Sequence, residues 1–563
     1  MACTQDPGKS GADEEAGSSP AVFREVAAET GLDFMHFNGM SGELYFVEVT
    51  GSGVALFDYD NDGDLDVYLV QSEMLGPASL EEATFPPTGP LTDRLFRNDL
   101  AINADGEAVL QFTDVTEAAG LDMHGYGLGV AAGDYDNDGW VDLYVTRFES
   151  NALLRNLGNG RFAEVTETAG VDDTRWTASA SFVDVDLDGW LDLYVCNYVN
   201  FTIAGHKRCA MPSGAREYCG PISYRSEPDR LLRNSGDGTF ENATGQAGIA
   251  REFGGCLGVI GADFNGDNLP DLYVANDGTA NQYWVNQGNL RFENDALMGG
   301  VALNWKGSVE ASMGVGAADF DNDGDRDIFI THLDGETNTL YLNDGAGMFS
   351  DVTPVSGLAD PSRSLTGFGM AWFDYDNDGW LDLFIANGAV KLVEAQKRAG
   401  SLHPLGQRNQ LYRNLGNNGF EEVLDPAVGA ELEVSRGTAV GDLDNDGDLD
   451  LVVTNNAGPV RLLRNEVDNN NHWLGVRLLS GKRDAVGARV EVFRDGLPAL
   501  WRWSQADGSY LSSNDPRVLV GLGNSTDIDE LRVHWPDGKV ESWRGLGIDR
   551  YVTLTKGEGQ SLP

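Results

Sequence analysis

Positive charge is scarce in this sequence. Of 563 residues only 39 are Lys or Arg against 89 Asp or Glu, which gives a formal net charge of −50 at pH 7. Phosphate binding needs clustered cations, so nucleic acid is excluded as a partner. No run approaches the roughly 20 apolar residues of a membrane helix, which excludes an integral helical membrane protein. Proline is limited to 19 residues and 41% of the chain is apolar, a globular rather than a disordered composition. The 7 histidines form no HExxH or other ligand spacing, and there is no GxSxG or glycine-rich phosphate loop.

Cysteine is also sparse, with 5 in the chain. Cys196, Cys209, Cys219 and Cys256 fall close together without CxxC or Cys/His zinc spacing, so two disulfides are expected. Four cysteines allow three connectivities; Cys209–Cys219 with Cys196–Cys256 is the preferred one. Cys3 stands apart, ahead of a polar run to Pro20 that reads as a flexible tether, residues 1–20. Nothing near Met1 resembles a signal peptide. Ala2-Cys3 before an acidic tether instead suggests the lipidated start of a processed bacterial lipoprotein, the one route to a membrane that the sequence offers. Disulfides and lipidation both point to an extracytoplasmic location, whether secreted, periplasmic or at the cell surface.

What the chain has in abundance is one acidic loop. The pattern D-x-D-x-D-G-x-x-D begins at Asp58, Asp134, Asp184, Asp319, Asp374 and Asp442, and a looser copy, DFNGDNLPD, begins at Asp263. Alternating small residues precede each copy and a β-type apolar run follows, so each reads as strand, tight turn, strand. Oxygens at positions 1, 3, 5 and 9 can converge on one hard cation, and Ca²⁺ accepts six to eight such oxygens. The candidate carboxylate ligands are therefore Asp58, Asp60, Asp62 and Asp66; Asp134, Asp136, Asp138 and Asp142; and Asp184, Asp186, Asp188 and Asp192. The later copies supply Asp263, Asn265, Asp267 and Asp271; Asp319, Asp321, Asp323 and Asp327; Asp374, Asp376, Asp378 and Asp382; and Asp442, Asp444, Asp446 and Asp450. Position 7 varies freely (Asp64, Trp140, Trp190, Leu269, Asp325, Trp380, Asp448), which suits a backbone carbonyl ligand and no side chain. Position 12 is apolar throughout, where an EF-hand needs Glu, so these are β-hairpin calcium loops. About seven Ca²⁺ ions are expected, and they offset under a third of the 50 net negative charges.

Two further motifs keep pace with the loops. A strand ending in Asn recurs at Asn98, Asn156, Asn234, Asn286, Asn343, Asn414 and Asn465. A strand opening on Phe follows six of these, at Phe112, Phe162, Phe240, Phe292, Phe349 and Phe420. The seventh such strand lies at the other end of the chain, at Phe23. Joining the spare strand to the last repeat predicts an all-β, seven-bladed propeller over residues 21–466, closed by its N-terminal strand. An open stack of repeats is the alternative.

The acidic hairpins followed by LYRN-x-G-x-G-x-F resemble the FG-GAP/VCBS repeats of integrin-α-type propellers. The tail, from NHWLGVRL at Asn471 through VGARVEVF to VHWPDG at Val533, resembles the ASPIC/UnbV domain. The combination is similar to the cartilage acidic protein family with its bacterial members. The loose Asp263 loop and GKRDAVGARV, which lacks a more typical Asn-Arg, depart from the pattern.

Alternating runs predict a small β-sandwich-like domain over residues 467–563. Its Trp473, Trp501, Trp503, Trp535 and Trp543 are assigned to core and interface packing, with sugar stacking as the alternative. On the ring, insertions at 72–93, 197–228 and 388–408 and the segment 33–50 should share the face opposite the calcium loops, where loops on a rigid scaffold bind partners. His36, Glu48, His124, Trp176 and Trp305 are candidates to line the central channel as a metal or substrate site. The expected function is a binding, adhesion or assembly module for a protein or glycan partner at the inserted face. The alternative is a propeller-scaffold enzyme acting on a polysaccharide or small substrate in the channel, without identified catalytic residues.

Overall fold

The computed structural model describes residues 21–562 other than 105, 107, 212 and 213. Cys3 and the tether lie outside these. The described chain is all-β, with helices of at most five residues. Among the described residues, seven four-stranded antiparallel sheets succeed one another along the chain. The first contains Val54–Phe57, Asp66–Leu69, Arg94–Asn98 and Phe112–Asp114. The last contains Ser435–Gly441, Asp450–Asn455 and Arg461–Asn465, and its fourth strand is Phe23–Glu25 from the other end of the sequence. That strand pairs Phe23 with Asn465 and Glu25 with Leu463.

The first strand of each sheet packs against the first strand of the next, and that of the last sheet against that of the first. These strands are rich in Gly and Ala because they lie close together. A Cβ at Gly369 would meet the Arg436 carbonyl oxygen of the next sheet at 2.5 Å. A separate apolar cluster fills each gap between neighbouring sheets; Leu56, Val67, Val452 and Leu462, all fully buried, join the last sheet to the first. Each such side chain contributes roughly 1.5–3 kcal/mol by leaving water.

The strands that open on Phe are shorter than the sequence suggests. Phe162–Glu164, for example, has three residues and gives way to the helical turn Thr166–Ala169, which Gly170 ends at φ 75°. Both disulfides form as expected. Cys196–Cys256 joins the third sheet to the fourth, and Cys209–Cys219 closes a ten-residue span inside the second insertion.

The C-terminal region forms two further sheets. One contains His472–Ser480, Arg483–Asp484, Val518–Gly523 and Tyr551–Thr555, and the other Arg489–Phe493, Leu500–Trp503, Glu530–His534, Val540–Trp543 and Gln560–Ser561. Leu474, Val490, Val520, Leu531 and Trp535 are buried between them.

Residues 507–515 leave these sheets and enter the middle of the seven-sheet array. Leu56 N donates to the Ser513 carbonyl, Val130 N to that of Leu511, and Ser509 and Val315 exchange both bonds. Asp507 accepts from the Ser181 hydroxyl and from Gly261 N, the Ser509 hydroxyl from Met370 N, and Asn514 Oδ1 from Val440 N. One short loop thus hydrogen-bonds the innermost strand of every sheet.

Candidate metal centres and the surface that covers them

Each acidic loop follows one backbone path. In the first, Asn61 at position 4 and Gly63 at position 6 both take positive φ, 59° and 97°. Gly has no Cβ to obstruct this, and Asn tolerates it. The turn points successive main-chain N–H groups at carboxylates. Asp58 Oδ1 accepts from Asp62 N at 3.1 Å and its Oδ2 from Gly63 N at 3.1 Å, while Asp62 Oδ1 accepts from Asp64 N. Asp66 at position 9 is fully buried and accepts from Tyr59 N and Asn98 N at 2.8 and 2.9 Å. The same bonds recur at Asp134, Asp184, Asp319, Asp374 and Asp442.

These bonds bring the carboxylates together. Ligand oxygens of Asp58, Asp60 and Asp62 lie within 4.8 Å of one another, as do those of Asp134, Asp136 and Asp142, of Asp184, Asp186 and Asp192, and of Asp319, Asp321 and Asp327. Five of the six aspartates at position 3 (Asp60, Asp186, Asp321, Asp376, Asp444) keep a buried Oδ1 without a hydrogen-bond partner. A buried carboxylate oxygen without a donor is costly, and a hard cation at the centre of the cluster would satisfy it. Burial, reinforced by the neighbouring carboxylates, raises Asp58, Asp134 and Asp184 to about 6 and Asp66 and Asp327 to about 9. The donor set, hard oxygens with one main-chain carbonyl free to join them, fits Ca²⁺. Beside it, Arg155 pairs with Asp136 and Asp138, Arg233 with Asp186 and Asp188, and Arg413 with Asp376 and Asp378.

The loops are also laced to one another. Asn61 Nδ2 donates to the Gly139 carbonyl, Asn137 to Gly189, Asn322 to Gly379, Asn377 to Gly447, and Asn445 to Asp64 Oδ1. Sequence reasoning left this role of position 4 unread, although Asn stands there in five copies.

The C-terminal sheets cover this crown. Arg477 lies 3.6 Å from Asp58, Arg502 donates to the Gly379 carbonyl, and Arg517 to that of Asp442. The Tyr551 hydroxyl donates to Asp442 Oδ2, and Asn469 and Asn471 donate to the Asp376 carbonyl. Trp473 lies against Gly447 and Trp501 against Gly324, while Trp535 is buried in the domain core.

The channel residues separate. Trp176 and Glu48 are buried; Trp176 packs with Phe46, Phe148 and Tyr198, near Tyr510 and Leu511 of the central loop. His36 is buried, and its Nδ1 accepts from Ala457 N. His124 and Trp305 are exposed and lie in different loops. These five do not converge on one centre, and the middle of the array is filled by side chains. Several aromatic residues of the inserted segments, including Tyr198 and Phe201, belong to this buried cluster rather than to a free surface.

The family comparisons agree with this geometry. A model of the FG-GAP-like repeat matches residues 134–195, 222–274, 263–330, 319–385 and 402–453, and one described as ASPIC and UnbV matches 479–561. The chain is an FG-GAP-repeat protein with a C-terminal ASPIC/UnbV domain. Among individual proteins it is similar to cartilage acidic protein 1 of Homo sapiens, at 29% identity over 331 residues, 56% of this chain and 46% of that one. The Xenopus tropicalis protein of the same name is 26% identical over 513 residues, 87% of this chain and 70% of that one. The alignment spans about half the length of the human and mouse relatives. Two solved structures are distantly similar. An Agrocybe aegerita lectin that recognises non-reducing terminal N-acetylglucosamine has a TM-score of 0.36 at 15% identity, over 66% of this chain and 81% of that one. YCF48 bound to a D1 peptide has a TM-score of 0.39 at 9% identity, over 77% and 94%. Among the described residues no helix is long and apolar enough to cross a membrane.

Proposed function

We propose that this chain is a closed, seven-bladed, calcium-loaded propeller acting outside the cytoplasm as a binding or assembly module for a protein or glycan. The observation that carries the calcium reading is the buried, partnerless Oδ1 of Asp60, Asp186, Asp321, Asp376 and Asp444, each beside further carboxylates. Closure rests on the pairing of Phe23–Glu25 with the last sheet. Export rests on the two disulfides, which persist in oxidising compartments. The partner is assigned to the end of the ring away from the acidic loops, because the C-terminal domain covers the loops. At that end the 197–228 insertion exposes Ile222, and the 388–408 insertion exposes Leu402.

The test is a glycan array and a membrane-protein pull-down with the full chain in Ca²⁺, repeated with residues 197–228 shortened. Capture of a defined sugar or protein that is lost on shortening supports the reading. Capture that survives shortening but is lost on mutating C-terminal surface residues moves the site to the small domain.

A further inference from the structure

The Asp263 loop has the backbone path of its six sisters but a different set of partners. Gly266 at position 4 and Asn268 at position 6 take φ 75° and 67°. Asp263 accepts three main-chain N–H bonds, from Gly266, Asp267 and Asn268, where its counterparts accept two. Position 3 is Asn265, whose Oδ1 accepts from Asp267 N at 2.9 Å, so the inward carboxylate of the other loops is replaced by a neutral amide. Asp271, at position 9, has the usual two main-chain donors and a third: the Tyr283 hydroxyl, at 3.0 Å from Oδ2. The residue matching Tyr283 in the other third strands is leucine, as at Leu95, Leu153, Leu231, Leu340, Leu411 and Leu462.

The lacing between loops also stops here. Leu187 replaces the Asn that would reach the Asp263 loop from the third sheet, and Gly266 has no side chain to reach the fifth.

We propose that six loops take up calcium tightly and that the Asp263 loop does not, because it has one carboxylate fewer and because Asp263 and Asp271 are held by added hydrogen bonds. The inference rests on the calcium reading above. A cation entering this loop would meet one carboxylate fewer and a hydroxyl already bound to Asp271. Both lower its attraction for a divalent ion.

Native mass spectrometry of the full chain, stripped with chelator and reloaded with Ca²⁺, tests this. Six tightly held ions are expected in the wild type, still six in Asp267→Asn, and five in Asp186→Asn; Asp323→Asn replaces the last variant if it does not fold. Seven ions of equal affinity, or loss of an ion in Asp267→Asn, overturns the proposal. Retention of no ions at all sinks the calcium reading itself, an outcome distinct from a count of seven.

Discussion

The side-chain amide of Asn98 donates to the main-chain carbonyl of Leu443 at 2.8 Å, so the third strand of the first sheet holds the acidic loop of the last. The same bond links each sheet to the one before it: Asn156 to Tyr59, Asn234 to Tyr135, Asn286 to Val185, Asn343 to Phe264, Asn414 to Phe320 and Asn465 to Tyr375. Replacing Asn98 or Asn234 with Ala leaves a buried carbonyl without its donor, at a cost of about 1–3 kcal/mol. Urea unfolding of each variant measures this. A change within error of zero at both positions would contradict the lacing role.

Calcium removal should lower the melting temperature sharply. Binding to the folded chain alone stabilises it by mass action, about 2.7 kcal/mol per site at a hundredfold excess over Kd. Thermal melts in chelator and in excess Ca²⁺ are the check. Superimposable curves on protein shown to be metal-free in chelator would end the calcium reading.

The central loop is expected to be structural. Tyr510 is fully buried, packs on Phe368, and its hydroxyl donates to the Thr50 carbonyl. Tyr510→Ala should cost about 3–5 kcal/mol, the usual loss for a buried aromatic side chain. Denaturation of this variant beside wild type reads the loss directly. A near-wild-type midpoint would mean that the loop is a passenger in the array of sheets.

Glu48 gives the pH dependence a defined source. It is fully buried, Tyr218 donates to its Oε2 at 3.0 Å, and burial raises its carboxyl to about 8. A carboxyl whose folded value lies above its unfolded value stabilises the fold while protonated in both states, and that contribution fades as pH rises towards 8. Glu48→Gln keeps the shape without the proton. The stability difference between wild type and Glu48→Gln should therefore turn against wild type between about pH 5 and pH 8. A difference that is flat across this range would refute the assignment.

Much of the architecture was legible because it repeats. One nine-residue acidic pattern, one Asn-ended strand and one Phe-opened strand, seven times each, reported hairpins through a period of two and through turn chemistry that only Asp, Asn and Gly satisfy. The spare strand at Phe23 could be matched to Asn465 because each sheet needs a fourth strand. The partners of Asn98, the unpaired oxygen of Asp60 and the hydroxyl of Tyr283 over Asp271 were not legible. Each depends on which loop lies beside which, and single-repeat spacing does not encode that. Trp176, expected to line the channel, was misplaced for the same kind of reason: it is buried against Phe46, a residue more than a hundred positions away.

By itself, then, the sequence determined the repeated strand–loop–strand unit, the acidic clusters in its loops and the cysteine groups, because local spacing and φ requirements leave few alternatives for D-x-D-x-D-G. Only the tertiary structure decided that residues 507–515 of the C-terminal region enter the centre of the array, and that Arg477, Arg502 and Arg517 cover the crown of loops. Those contacts join residues hundreds of positions apart. They exist because the innermost strands present unpaired main-chain groups at the middle of the array, and these must find partners once water is excluded.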